Sequence, residues 1–423
     1  MSLLVRHRDF RWLWVGETVS RFGSAVSTVA LPLIAVSVLQ ATTFEVGLLS
    51  AAAWLPWLLI GLPVGAWVDR LPRRPIMQLA TAGSLLSFGS IPLADQLGLL
   101  TIELLLAIAV LTGTAAVFFQ TAYTAYLPEL LEPADQAEGN AKLHGSASAA
   151  QIAGVGCGGL IVQAIGAVDG MLVDTSTFLI ALLCLTAIRH REPRATSDRK
   201  PALVGEVIAG LRLVAGDVWL RTITIFGGVS NLGLMGYQSI IVVFLVREVG
   251  LTPGVVGALI AIASSGGVAG AFAARRVANR VGTARAMLLF ELVLPTLALL
   301  IPLTTGGGLA FYLVGAFSIG VGVVAGNTIK ATFHQSYCPP ELRGRLAASS
   351  AFLNYGTIPL GALLGGTLGE ALGLRTALWI TTAGVPLAGL ILLFSPIRRQ
   401  RDLPDHQGSA VPAAAASSRA RID

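Results

Sequence analysis

The chain has 423 residues, of which 54% are hydrophobic and 12% charged, with a formal net charge of +6. Soluble domains carry roughly 25% charged residues, so this sequence cannot give two or three soluble domains a polar surface. Segments 48–68, 99–119, 287–303 and 377–394 are apolar and long enough to cross a hydrocarbon core, which takes about 20 helical residues. The composition specifies a polytopic, all-α integral membrane protein.

The N-terminus, MSLLVRHRDFRWLW, has basic residues but no short apolar run ending in small residues. It reads as the lead into the first span, not as a cleaved signal. Twelve spans follow, near 13–39, 44–68, 75–95, 99–122, 145–167, 170–189, 219–246, 253–274, 286–304, 309–331, 346–369 and 374–397. Short connections alternate with longer ones, and the longer ones hold nearly all the basic residues. Arg6, Arg8 and Arg11 precede the first span; Arg70, Arg73 and Arg74 follow the second; Arg275, Arg276, Arg280 and Arg285 follow the eighth. On the other side stand Arg247 and Arg375. The positive-inside rule then predicts that both termini are cytoplasmic, in the cell membrane. The basic excess is therefore topological, and nucleic acid is not an expected partner.

The chain divides into a six-span half at 1–189, a polar connection at 190–218, a second six-span half at 219–397 and a tail at 398–423. In the connection, Leu203, Val207, Leu211 and Val214 recur at helical spacing, which predicts a helix lying on the cytoplasmic surface. The tail, with PAAAASS in it, is expected to be disordered. A repeat relates the halves. Pro133 and Pro340 each open a cytoplasmic loop leading into a glycine-rich span, 207 residues apart, as are the pairs Gly158–Gly159 and Gly365–Gly366. Two parallel six-span halves about an axis along the membrane normal form a transporter arrangement.

The stretch GAWVDRLPRRP concentrates charge between spans two and three. It resembles the G-x-x-x-D-R-x-x-R-R loop of the major facilitator superfamily, with Gly65, Asp69, Arg70, Arg73 and Arg74 in those places. FRWLWVGETVSRFGSAVSTVALPL, NAKLHGSASAAQIAGVGCGG and Q-S-x-x-P-x-E-L-R-G-R further resemble its bacterial macrolide and siderophore exporter branch, over the chain to about residue 397. The resemblance implies the major facilitator fold and a latch that joins the two halves on the cytoplasmic side when the pocket faces outward. In that reading Gly65 lets another helix approach, and Asp69 accepts hydrogen bonds or pairs with Arg70 or Arg73. The alternative is that the arginines only fix topology. Two departures from antiporter patterns stand out: Ala109 where a span-four arginine is often found, and Val155 in place of a proline after Gly154. Gly154, Gly156, Gly158 and Gly159 remain as helix-packing glycines, with Gly365 and Gly366 in the second half.

Ionisable residues inside spans are functional suspects. Glu17 and Arg21, four apart on one helix face, form either a coupling site or a self-neutralising pair. Asp174 resembles an acid the branch often carries in span six; its alternative is a solvated place near the outer mouth. Glu291, flanked only by apolar residues, suits a group that takes up and releases protons; its alternative is a place near an interface, since span nine is peripheral in the superfamily. Glu103 reads as a rim residue, His144 as interfacial, and Arg221 and Lys330 as side chains that snorkel to the surface. Spans one, four, seven and ten line the cavity in the superfamily, which makes Gln120, Tyr123, Asn231, Tyr237, Gln238 and Asn327 pocket candidates. Trp54 and Trp57 are either pocket aromatics or packing.

The expectation is a secondary transporter that exports a hydrophobic drug-, macrolide- or siderophore-like molecule by proton antiport, as a monomer in the lipid bilayer. The alternatives are a proton-coupled importer and a non-transporting sensor or assembly partner. No G-x-x-x-x-G-K-[ST] loop or catalytic triad stands out, and Cys157, Cys184 and Cys338 show no paired spacing. No enzyme activity, metal or cofactor is expected.

Overall fold

The computed structural model describes residues 3–68, 70–190, 192 and 211–405. After a short turn at Leu3–Arg6, the first six long helices are α1 (Arg8–Val38), α2 (Thr43–Val68), α3 (Arg73–Gln96), α4 (Ile102–Leu130), α5 (Pro133–Ile165) and α6 (Ala167–Ala187). The second six are α7 (Val218–Arg247), α8 (Pro253–Val281), α9 (Thr283–Leu303), α10 (Leu309–Tyr337), α11 (Pro340–Leu372) and α12 (Leu374–Leu393). Among the described residues there is no strand, and all but α11 qualify as membrane spans by length and composition alone. The protein is a multi-pass, all-helical membrane protein in which twelve crossings return the chain to the face where it began. That face is called here the terminal face.

Two spans start earlier than the hydropathy suggests. The segments after Pro133 and Pro340, expected as loops, are the first turns of α5 and α11, each with proline at the helix start. There its missing N–H is no loss, because the first turn has no partner for it. Charged first turns lower the hydropathy without breaking the helix. Of the predicted surface helix, residues 211–216 are helical and 201–210 lie outside the described residues. The tail's expected disorder from residue 406 onward also lies outside them. Before that point the chain is seated: the Ala284 N–H donates to the Arg401 carbonyl at 3.1 Å, and the Leu403 N–H to Thr283 Oγ1 at 2.7 Å.

The halves repeat one packing plan. In the first, α1 packs on α5 and α6, α2 on α4, and α3 on α4 and α6. In the second, α7 packs on α11 and α12, α8 on α10, and α9 on α10 and α12. The glycine pairs 207 residues apart take matching parts in this plan. Gly158 and Gly365 pack within their own halves, against Val26 of α1 and Gly236 of α7. Gly159 and Gly366 pack across to the other half, where an added Cβ would lie 2.7 Å from Gly257 Cα of α8 and 3.0 Å from Gly47 Cα of α2. Gly154 is pressed against α1, 2.5 Å from the Phe22 carbonyl by the same measure.

These cross-half contacts lie toward the face opposite the termini. Further along α2 and α5 the halves part. A Cβ on Gly65, five turns beyond Gly47 on the same face of α2, would meet nothing within 4 Å, nor would one on Gly145 of α5. The close approach expected at Gly65 is therefore not made, because the helices have already diverged there. Among the described residues, the bundle is closed on the opposite face and open at these two positions toward the terminal face.

Candidate functional site: a central cavity and three buried acids

A cavity of about 390 Å³ lies between the halves. The first half contributes Thr28 and Val29 of α1 and Gln151 and Val155 of α5. The second contributes Tyr237, Gln238, Ile241 and Val242 of α7, Ile260, Ala263 and Ser264 of α8, and Tyr312, Ala316, Ile319 and Gly320 of α10. Of the predicted pocket residues, Tyr237 and Gln238 stand here. Asn231 instead donates to the Asn354 carbonyl of α11 at 3.2 Å, Tyr123 is buried and stacked on Phe119, and Asn327 is exposed but outside the lining. Gln151, Tyr312, Thr28 and Ser264 were not anticipated. The usable signal was a polar side chain inside an otherwise apolar span, but that pattern also fits residues that face a neighbouring helix.

On α1, Arg21 lies two turns from Thr28 toward the terminal face and on the same side of the helix. Arg21 Nε donates to Glu17 Oε1 at 2.6 Å, and Nη2 donates to Gln120 Oε1 of α4 at 3.2 Å. The predicted i,i+4 pair is thus made, and it recruits Gln120. Glu17 is 7% exposed, whereas Arg21 has 43% of its side chain accessible.

Asp174 is fully buried between α6 and α1, which overturns the solvated alternative. Ser27 Oγ donates to its carboxylate in a short hydrogen bond, and Thr177 Oγ1 lies 3.3 Å from the other oxygen. Gly23 leaves room for this cluster: a Cβ there would fall 2.5 Å from Asp174 Oδ1. Two hydroxyls and no cation surround this acid among the described residues.

Glu291 is not solitary. Its Oε1 lies 2.9 Å from Lys330 Nζ of α10, and Lys330 is not at the surface as expected but 18% accessible, 5.2 Å from the Phe226 ring centroid. The backbone explains the pairing. Pro295 lacks an N–H, and its ring collides with the carbonyl four residues back, that of Glu291. The helix accordingly winds as a π turn over Leu289–Val293 and continues as a 3₁₀ helix over Leu294–Leu303. Such turns often occur at functional positions. Gly326 provides the remaining space, since a Cβ there would overlap the Glu291 carboxylate.

In the loop after α2, Asp69 lies outside the described residues. Arg70 is exposed in the turn. Arg73 pairs with Glu129 of α4, and its backbone N–H donates to Glu192 at 2.6 Å. Arg74 donates to the Leu185 and Thr186 carbonyls at 3.0 and 2.8 Å, placing a cation at the C-terminal, negative end of α6. Both side chains are engaged within the first half.

Two groups tie the halves on the opposite face. Arg247 at the end of α7 donates to the Ala41 carbonyl at 2.7 Å, and Glu370 of α11 accepts from the Thr43 N–H at 3.1 Å. Midway, Trp54 and Trp57 of α2 lie 6.1 and 5.3 Å from Tyr355 of α11 by ring centroid. These tryptophans therefore pack between the halves outside the cavity lining. Glu103 and His144 are exposed, and Arg221 donates to the Ala215 carbonyl at 3.1 Å.

The sequence profile of the Major Facilitator Superfamily matches residues 13–358. The chain is 27% identical over 397 residues to the multidrug efflux pump Tap of Mycolicibacterium fortuitum, covering 90% of this chain and 94% of that protein. It overlays on the nucleoside transporter NupG with a TM-score of 0.76 at 11% identity, covering 91% and 98% of the two chains. A bacterial homologue of the iron transporter ferroportin gives 0.74 in its inward-facing state at 14% identity, covering 93% of this chain and 99% of that one. The same homologue gives 0.62 in its outward-facing state, also at 14% identity, covering 91% and 98%.

Proposed function

The chain belongs to the major facilitator superfamily, and on that premise we propose that this transporter exports hydrophobic small molecules by proton antiport. The observation that carries the reading is the mostly apolar cavity walled by both halves, because a site between two rocking halves is open to one face at a time. The direction of transport is argued from likeness to a multidrug efflux pump along nine tenths of the chain. The arginine-rich loops support a terminal face on the cytoplasmic side of the plasma membrane. The structure then corresponds to the state that takes up cargo from inside. The protein works as a monomer in the bilayer, with the hydrophobic cargo and protons as its partners.

Glu17, with its partner Arg21, together with Asp174 and Glu291, supplies the proton-handling acids, since each is an acid held away from bulk water inside the membrane. The loop of Gly65, Asp69, Arg70, Arg73 and Arg74 serves as the latch of the opposite state. When the terminal face closes, Gly65 is brought toward α11 and the arginines exchange partners.

The test uses inside-out vesicles with an acidified lumen and a pH-sensitive dye. At least one member of a panel of macrolides, cationic dyes and siderophores is expected to release luminal protons. The release should be lost with Asp69→Asn and with at least one of Glu17→Gln, Asp174→Asn and Glu291→Gln. No release by any compound from abundant, folded protein would refute export by antiport. Accumulation driven in the opposite direction would favour a proton-coupled importer.

A further inference from the structure

Among the described residues that line the cavity none is charged, and its polar groups have a definite hydrogen-bonding character. Thr28 Oγ1 donates its proton to the Ala25 carbonyl at 2.7 Å, and Ser264 Oγ donates to the Ile260 carbonyl at 2.7 Å. Both hydroxyls therefore offer the cavity only lone pairs. Gln151 and Gln238, on opposite halves, are both accessible, and each side-chain amide carries two N–H donors and one acceptor. Val29, Ile241, Ile260 and Ile319 supply apolar wall between them.

Charge is present elsewhere and is already committed. Asp174 is sealed between α1 and α6 with two hydroxyl partners, and Glu291 is closed against Lys330 between α9 and α10. Glu17 and Arg21 bind one another, and Gln120 holds the guanidinium from α4. None of these groups lines the cavity. A cation or anion brought into it would be stripped of water without a counter-charge, the costliest form of burial.

We propose that the cavity selects cargo with no net charge, an apolar body bearing hydrogen-bond donors and acceptors, recognised by Gln151 and Gln238, while protons are carried at separate places. This rests on the export reading and narrows its substrate class. Coupling then runs through movement of the halves, since cargo and proton do not meet at one carboxylate.

The experiment measures equilibrium binding to the full chain in lipid nanodiscs, by scintillation proximity against empty discs. The probes are tritiated corticosterone, uncharged with hydroxyl and carbonyl groups, and tritiated tetraphenylphosphonium, a permanent cation. Wild type is expected to bind the steroid at least about tenfold more tightly than the cation, and to lose that binding about tenfold in Gln151→Ala/Gln238→Ala, where the amide hydrogen bonds are missing. Gln238→Glu should gain cation binding by about tenfold, because it places an uncompensated carboxylate in a low-dielectric site. Gln151→Glu tests the same point from the other half if the first variant fails to reach the membrane. Wild type binding the cation as tightly as the steroid would overturn the proposal, as would both carboxylate variants folding and gaining nothing. Proton release triggered by tetraphenylphosphonium in the vesicle assay would leave export standing and refute only the neutral-cargo cavity.

Discussion

Gly159 offers the sharpest test of which surfaces hold the closed face together. A methyl group added there would lie 2.6 Å from the Pro253 carbonyl oxygen and 2.7 Å from Gly257 Cα of α8. Carbon contacts are comfortable at about 3.5–4.0 Å, so α5 and α8 must separate by roughly 1 Å to admit it. The obstacle is backbone, which no rotamer change can move aside. Overpacking of this kind costs about 1–3 kcal/mol, and the cost falls only on the state in which α5 and α8 touch. A differential of that size shifts a two-state equilibrium by about 5- to 150-fold, so Gly159→Ala should populate the state closed on the terminal face. Spin labels at Thr42 of the first half and Leu372 of the second, on a background with Cys157, Cys184 and Cys338 replaced, would report the separation across the opposite face. A longer distance population in Gly159→Ala is expected. An unchanged distribution from well-folded protein would refute the assignment of this contact as the closing surface.

Arg247→Ala should act in the same direction but more weakly: losing its charge-assisted hydrogen bonds to the Ala41 and Val36 carbonyls from a partly exposed group costs about 1 kcal/mol, near fivefold in population, read by the same labels. For the Glu291–Lys330 pair, thermal unfolding in detergent should show each single change, Glu291→Gln or Lys330→Met, to be more destabilising than the double change. A lone buried charge costs about 3–5 kcal/mol, whereas removing both partners is close to neutral. Additive single effects would show that the two side chains do not stabilise one another.

The sequence made part of this architecture readable. All the spans but α11, and the division into two halves, follow from hydropathy, because a bilayer imposes a fixed length on every apolar helix. The Glu17–Arg21 pair was legible because both residues sit on one helix at a spacing that fixes their geometry. Glu291–Lys330 was not, since it joins two helices and depends on a π turn that redirects the acid. The hint lay in Pro295, four residues after Glu291, whose effect on the helix acts on the carbonyl of the acid itself. Gly65 shows a different limit. Its sequence context suggests close packing, but that packing depends on where a second helix lies, which no local pattern records.

The glycine contacts across the halves also bear on what drives the machine. Gly47 against Gly366 and Gly159 against Gly257 are backbone meeting backbone. Such contacts hold no long side chain in one rotamer and leave little apolar surface to be rewetted when they part. A seam of this kind parts at little cost in side-chain ordering or rewetted surface. On the proposed antiport, the direction of travel is then set by the proton gradient. A proton gradient supplies about 1.4 kcal/mol per pH unit for each proton, enough to tilt an almost level equilibrium. If the proposed antiport holds, reversing that gradient should make the same molecule run backwards.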